Sequence, residues 1–350
     1  MKKTVWKYAV VALVVINVAL AAALVLCAYA GCFPPQHYPR LSVLPLVFPF
    51  LILPNIFFAM LFLFVRRKMA LISGIALLLT LPDIRAFCPI NLSGQAPQGS
   101  LRLMSMNLGA TKGAKADSLI RYLVDSKADI VCFQETMCKG AWFDRPGLKE
   151  IYPYSGKQGK EVVISCISKY PVVDARTIDY ESEGNMSACF SVKIGDDTLY
   201  VVNNHFQSYH IGGKLLDEYK GITSRVASMK TREKNTRDVV AHLIEANAKR
   251  GPQVDSVYKF VENLKGKLVV ACGDFNETAN GYAHYKLTKL LNDAYTRSAN
   301  GWGFSYSRNK IHYRIDHILC SPSISAYDSF VDGTCTLSDH FPIVSSLKLP

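Results

Sequence analysis

Gly273-Asp274-Phe275-Asn276-Glu277-Thr278 follows an unbroken apolar run, Leu268-Val269-Val270-Ala271-Cys272, and together they read as a buried strand with a polar tip. Extended backbone alternates its side chains, so Asp274 and Asn276 leave the strand end on one face while Phe275 turns into the core. A carboxylate and an amide side by side can hold a hard cation and orient a water or a phosphate oxygen. Alone, the stretch reads equally well as a polar turn after a strand. Five other stretches of the chain supply parts that a turn would not need.

Around this strand, residues 101–350 mix short strands with helical stretches. Leu101–Asn107, Asp129–Glu135, Val162–Ser168, Ala188–Ile194, Thr198–His205, Ile315–Cys320 and Pro342–Leu349 read as strands, and Lys115–Ser126 has helical spacing. Many short strands and few helices predict an α/β fold, a two-sheet β-sandwich flanked by helices. Between about residues 210 and 265 the period changes. Val239, Val240, Leu243 and Ile244, then Val254, Val257, Tyr258, Val261 and Leu264, recur at helical spacing in a segment dense in charge. This insert reads as a solvated helical face beside the core. The sharper reading is a cap whose Arg225, Lys230, Arg232 or Arg237 meets a substrate phosphate.

The first ninety residues are of another kind. Tyr8–Ala30 is an uncharged run with Asn17 as its one strongly polar residue, and Leu41–Val65 is a second, broken by Pro45, Pro49 and Pro54. Both are long enough to cross a bilayer. A third run, Met69–Ile84, ends among Pro82, Asp83 and Arg85 and is expected to span as well. Residues 1–90 thus read as a membrane anchor of two to three transmembrane helices. Residues 91–100, rich in Gly, Pro, Gln and Ser, read as a linker, and 101–350 as the remaining domain. Lys2, Lys3 and Lys7 precede the first run and Arg66-Arg67-Lys68 follow the second, so the positive-inside rule places both in the cytoplasm. With three spans, everything after about residue 90 lies outside the cytoplasm, tethered to the inner membrane.

The net charge of +12 does not describe a nucleic-acid-tracking surface. Eight Lys and Arg against one Asp fall within residues 1–100, which leaves only +5 for residues 101–350. The ten cysteines show no Cys-x-x-Cys spacing, and Cys132, Cys166, Cys189, Cys272 and Cys320 fall in apolar strands as small buried hydrophobes.

Other strand ends carry the rest of the chemistry. Asn107 closes the first strand, Gln134-Glu135 another, and Asn203-Asn204-His205 a third; Asp316 opens a strand, and Ser338-Asp339-His340 puts carboxylate and imidazole on adjacent residues. Each piece alone is commonplace, but the ordered set is not. On Met106-Asn107, Gln134-Glu135, Asn203 to His205, Gly273 to Asn276, Asp316 and Ser338-Asp339-His340, the chain resembles the endonuclease/exonuclease/phosphatase superfamily with its deoxyribonuclease I-like fold. In particular it resembles membrane-anchored bacterial members, whose helical insert has a counterpart in Lys249-Arg250-Gly251-Pro252-Gln253-Val254-Asp255.

That resemblance implies a divalent-metal phosphoester hydrolase. Glu135 would be the main metal carboxylate, with Asn107 and Asp339 in or near the coordination sphere. Asp274 and Asn276 would position the attacking water and the phosphate, Asp316 would hold the tautomer of His340, and His205 would bond the phosphate or protonate the leaving oxygen. Oxygen and amide donors without cysteine suit Mg²⁺ or Mn²⁺ rather than zinc. Phe206 stands where many relatives carry Leu, and Ser305-Tyr306 where a Thr-Tyr-like pair is expected; neither is expected to touch the core chemistry. The favoured substrate is a lipid headgroup or small phosphoester beside the membrane. The alternatives are DNA or RNA cleaved by a nuclease, and a catalytically silent binding module.

Overall fold

The computed structural model describes residues 2–92, 94–109, 116–137, 145–160, 162–209, 213–223, 228–308 and 311–350. In it the apolar N-terminal runs become helices α1 (Lys2–Tyr29), α2 (Phe48–Val65) and α3 (Arg67–Leu79). α1 and α2 are long and apolar enough to cross a membrane. The third run does not continue straight, because α3 turns by 58° into α4 (Leu81–Phe87). Pro82 sits in the first turn of α4, a position its fixed φ favours, so the helix restarts there on a new axis. Within the bundle, polar side chains need partners on other helices. Ser73 Oγ bonds the amide oxygens of Asn17 and Asn55, whose own amide groups donate to Met69 O and Leu20 O.

Two six-stranded sheets follow. The first runs β13 (Ser325–Val331), β14 (Ile343–Lys348), β1 (Leu101–Asn107), β2 (Ile130–Met137), β4 (Val162–Ser168) and β3 (Tyr154–Gln158). The second runs β5 (Val172–Ile178), β6 (Met186–Ile194), β7 (Asp197–His205), β8 (Leu268–Asp274), β12 (Asp316–Cys320) and β9 (Asn292–Asp293). A separate hairpin pairs β10 (Tyr306–Arg308) with β11 (Ile311–Tyr313). Helices α5 (Ala116–Ser126) and α6 (Pro146–Ile151) cover the outside of the first sheet. The insert forms α7 (Gly213–Thr223) and α8 (Met229–Glu262), and α8 covers the second sheet together with α9 (Tyr282–Leu287); α10 (Ala294–Ser298) packs beside β13.

β8 shows why the layers form. Val270 and Cys272 enter the core between the sheets with Leu103, Ile130, Phe190 and Val201. Val269 and Ala271 point the other way, onto Val254, Val257 and Val261 of α8. A strand buried on both faces is apolar at every position, which is why this run carries no alternation. β3, β5 and β13 escaped the sequence reading because they are edge strands, half exposed and mixed in polarity.

The sandwich sits on the end of the bundle formed by residues 30–47, the start of α2, and α4. Gln36 Nε2 donates to Asp255 Oδ2 (2.9 Å), Asn247 Nδ2 to Ser42 O (3.0 Å), and Tyr313 OH to Leu46 O (3.0 Å), while Arg314 reaches Ala86 O. The stretch expected to be a linker is fastened as well. Asn91 Nδ2 donates to Ala299 O (2.6 Å), and the Ala96 amide to Asp328 Oδ2 (2.9 Å). The Arg66-Arg67-Lys68 turn lies at the far end of α2.

Candidate active site

Three neighbouring strands of the second sheet end side by side. His205 of β7 lies opposite Asp274 of β8, and Asp274 lies opposite Asp316 of β12. Gly273 makes this possible: at φ 125° any side chain would run into the Asn204 carbonyl of the adjoining strand. Beyond Asp274, Asn276 adopts a left-handed conformation (φ 51°), which asparagine tolerates. Its amide N–H donates to Asp274 Oδ1 (2.8 Å) and its side chain to Phe206 O (3.0 Å). Phe275 is buried against the Phe206 and His317 rings.

The first sheet brings its residues across the rim. Asn107 Nδ2 donates to Glu135 Oε1 (3.1 Å) and to Asp274 Oδ2 (3.0 Å), tying the two sheets together. Glu135 sits where the register of β2 slips between Phe133 and Thr136, at φ 53°. Such a bulge re-aims a side chain. Gln134 stays between the sheets on Asn203 (2.6 Å), while the Glu135 carboxylate turns to the rim, 3.4 Å from His205 Nε2. A non-glycine residue in this conformation marks backbone held against its preference by its surroundings. Asp339 arrives from the last loop, and Gly109 leaves room for it, since a Cβ there would press on Asp339 Oδ1.

The imidazoles are held from behind. His340 Nδ1 is 2.9 Å from Asp316 Oδ2, and its Nε2 is 3.8 Å from Asp274 Oδ2. Burial alone would depress this imidazole, but the Asp316 and Asp274 carboxylates outweigh it and raise His340 to about 10. Burial, reinforced by Asp316, holds the Asp274 carboxyl well above the usual carboxylate range against the pull of His340. Asn185 brackets the His205 ring at 3.4 Å and 3.5 Å and donates to Phe206 O (3.1 Å).

All eight residues singled out from the sequence, Asn107, Glu135, His205, Asp274, Asn276, Asp316, Asp339 and His340, therefore come together at one rim. Two expectations need correction. Ser305 Oγ donates to Asp316 Oδ2 (2.7 Å), and the Tyr306 ring packs edge-on against His340 at 5.0 Å, so this pair does touch the core of the site. Among the described residues, Lys230, Arg232 and Arg237 of the insert do not line the cavity. Lys230 is exposed, and Arg237 is exposed and pairs with Glu233 one helical turn away, while Arg225 lies outside the described residues. What the insert offers instead is Tyr219, Val239 and Leu243.

Sequence reasoning missed Asn185, which no pattern marks, and the role of Arg250. This buried guanidinium donates from Nε and Nη2 to Gln207 O (2.9 and 2.6 Å), stacks on Tyr209 and lies 3.4 Å from Glu277. It fastens α8 to the loop after Asp274. Its place in the Lys249–Asp255 segment was the available signal.

Glu135, Asp274, Asn276, Asp339 and His340 form the polar floor of a cavity of about 960 Å³. Its walls come from the hairpin, from the insert and, unexpectedly, from the N-terminal helical bundle, where Leu46, Pro49, Phe50 and Leu53 line the opening.

Residues 91–340 match the family model described as Endonuclease/Exonuclease/phosphatase family. The chain belongs to that family. Endonuclease/exonuclease/phosphatase enzymes are divalent-metal-dependent phosphoester hydrolases, and this chain is such an enzyme. Residues 9–87 match a Domain of unknown function (DUF8431). No curated protein sequence matches the chain. Among solved structures, humanized D. rerio TDP2 is similar at 13% identity, covering 71% of this chain and 99% of its own, with a TM-score of 0.50. Bacteroides thetaiotaomicron mannosyl-6-phosphatase (19% identity, 71% and 100% covered, TM-score 0.49) and the human Nocturnin catalytic domain with bound sulfate (14%, 73% and 97%, 0.49) are also similar. At these identities the likeness is one of fold.

The floor suits the cation this family uses. Its donors are carboxylate and amide oxygens, the hard set preferred by small divalent ions. Glu135 and Asp339 line the cavity, with Asn107 bonded to Glu135, whereas Asp274, Asp316 and His340, which also converge, are already joined through the His340 Nδ1–Asp316 Oδ2 hydrogen bond. A second convergence, His284, Asp293 and His317, has a different character. Asp293 already accepts from His284 (3.0 Å), Thr296 (2.6 Å) and the Tyr295 amide (2.9 Å), and the Arg314 guanidinium beside it supplies the positive charge. This group ties β12 to α9 and, through Arg314, to Ala86 of the bundle.

Proposed function

We propose that this protein is a Mg²⁺- or Mn²⁺-dependent phosphoester hydrolase tethered to the membrane by its N-terminal helices, acting on the phosphoester of a lipid headgroup outside the cytoplasm. The observation that carries the reading is the position of the cavity. Its acidic floor opens between the sandwich and the membrane bundle, at the end of α2 away from Arg66-Arg67-Lys68.

Glu135, with Asn107 and Asp339, would hold the cation, which when bound lowers the pKa of a water and offsets charge on the non-bridging oxygens. Asp274, whose carboxyl favours a proton more than usual, takes one from the attacking water. Asn276 fixes Asp274 through its backbone N–H and helps orient the phosphate. His340, kept protonated by Asp316, faces the oxygens that gain charge. The water oxygen bonds to phosphorus, the bond from phosphorus to the leaving oxygen breaks, and His205 gives that oxygen a proton.

The test is a substrate panel on the full-length protein in detergent micelles with Mg²⁺, with and without chelator. Phosphatidylglycerol, sphingomyelin, inositol phosphates, mannose 6-phosphate, plasmid DNA and RNA serve as probes. Lipid turnover abolished by chelator and by His340→Ala is expected. Cleavage of nucleic acid without lipid turnover would reject the proposal in favour of a nuclease.

A further inference from the structure

The cavity is far larger than a phosphate requires, and its composition is divided. Its lining joins acidic and imidazole groups with an apolar set, Phe50 and Leu53 of α2, Trp302 and Phe304 before the hairpin, and Val239 and Leu243 of α8. Phe50 and Leu53 remain 68% and 73% exposed although they border this cavity. They belong to the same helix as Phe57 and Phe64, which are exposed further along it, and that helix is long and apolar enough to cross a membrane. The apolar wall of the active site and the surface that would face hydrocarbon are therefore one continuous strip.

Among the described residues, a polar phosphoester such as a sugar phosphate or nucleotide would find few charged side chains above the floor. Arg314 lines the cavity but is committed to Asp293, Ala86 O and the Tyr295 ring. Trp302 and Phe304 stack on one another with ring centroids 6.0 Å apart, and both keep an exposed edge. Aromatic rings of this kind settle at the boundary between headgroups and hydrocarbon.

From this continuity we infer that helix α2 is a wall of the substrate site as well as a tether. Resting on the lipid reading above, the inference specifies the substrate as a long-chain lipid phosphoester. Its hydrocarbon chain lies along Phe50 and Leu53, clasped from the other side by the Trp302–Phe304 loop and by Val239 and Leu243. A chain moving from the bilayer onto this strip stays in apolar surroundings throughout, so the phosphate reaches the floor without the chain being hydrated.

The test compares kcat/KM for two probes on full-length protein in nanodiscs with Mg²⁺. One is dioleoylphosphatidylglycerol; the other is bis(p-nitrophenyl) phosphate, which has no chain. Leu53→Trp narrows the corridor and Leu53→Ala widens it, and both stay apolar so that membrane insertion is kept. Phe64→Ala, on the same helix but away from the cavity, is the control. Leu53→Trp is expected to lower the ratio of lipid to small-ester kcat/KM about tenfold or more, Leu53→Ala to lower it less, and Phe64→Ala to leave it unmoved. Lipid turnover whose ratio is indifferent to both Leu53 variants, or equally sensitive to Phe64→Ala, overturns the role of α2 while leaving the lipid reading intact. Absence of any lipid turnover by the unaltered protein, with hydrolysis of the small ester, overturns both.

Discussion

Replacing Asp316 by asparagine tests the hydrogen-bonded core of the site most directly. His340 is raised to about 10 even though burial works the other way, and the largest upward influence is the Asp316 carboxylate, 2.9 Å from Nδ1. A buried hydrogen bond to a charged group contributes roughly 1.5–3 kcal/mol, equivalent to about one to two pKa units. Because the folded pKa is raised, the imidazole keeps its proton up to that pKa, and lowering it makes the proton leave at lower pH. The alkaline limb of kcat/KM should therefore move down by about one to two pH units. Ser305 Oγ and His340 Nδ1 both meet Asp316 Oδ2, so an asparagine with its amide oxygen in that place keeps both partners but loses the negative charge behind the imidazolium. At pH 9 the shift alone should lower kcat/KM by up to about tenfold. The assay is a pH–rate profile on a small phosphodiester at saturating metal, with thermal unfolding to show that the fold is kept. An alkaline limb that stays in place in a folded Asp316→Asn protein would refute the assignment of His340 as the protonated group held by Asp316.

Other outcomes follow from the same contacts. Gly273→Ala forces a side chain into the Asn204 carbonyl at a left-handed position and should destabilise the protein by about 3 kcal/mol or more, read as a lowered unfolding midpoint with loss of activity. Arg250→Met strands the Gln207 carbonyl and the Glu277 carboxylate in the interior and should cost roughly 3–5 kcal/mol; the double variant with Glu277→Gln should recover part of it in the same unfolding assay. For Asp293, burial opposes ionisation, but the His284 hydrogen bond and the Arg314 charge depress its pKa below the unfolded value of about 4. Its contribution to stability is therefore fully present above that value and lost as pH falls below it. Thermal unfolding between about pH 7 and pH 3 should lose less stability on the acid side in Asp293→Asn than in the unaltered chain.

Much of the fold was legible because its central strands carry one-sided or two-sided apolar patterns. β8 reads as buried from Leu268 to Cys272 because helices and a second sheet cover its two faces, and β7 reads as a strand up to His205 for the same reason. The site was legible because its members sit at the ends of such strands, where the change from apolar to polar is abrupt. Less legible was anything that depends on backbone irregularity or on distance along the chain. Strand alternation alone would place Glu135 and Gln134 on opposite faces; only the register slip at φ 53° shows which one reaches the rim. Ser305 and Tyr306 precede Asp316 by ten residues and more, across a hairpin, so spacing does not reveal that they touch Asp316 and His340. The wall formed by α2 lies more than two hundred residues from Asp274, and no periodicity links an N-terminal apolar helix to a strand tip.

The side-by-side ending of β7, β8 and β12 bears on how this enzyme can diversify. His205, Asp274 and Asp316 are spaced by the hydrogen-bonded ladder itself, whose pitch of about 4.8 Å no side-chain exchange can alter. Substitutions can thus rework the aromatic loop, the helical insert or the first turns of α2 without moving the reacting groups apart. Change of substrate and conservation of chemistry are assigned to different parts of the polypeptide.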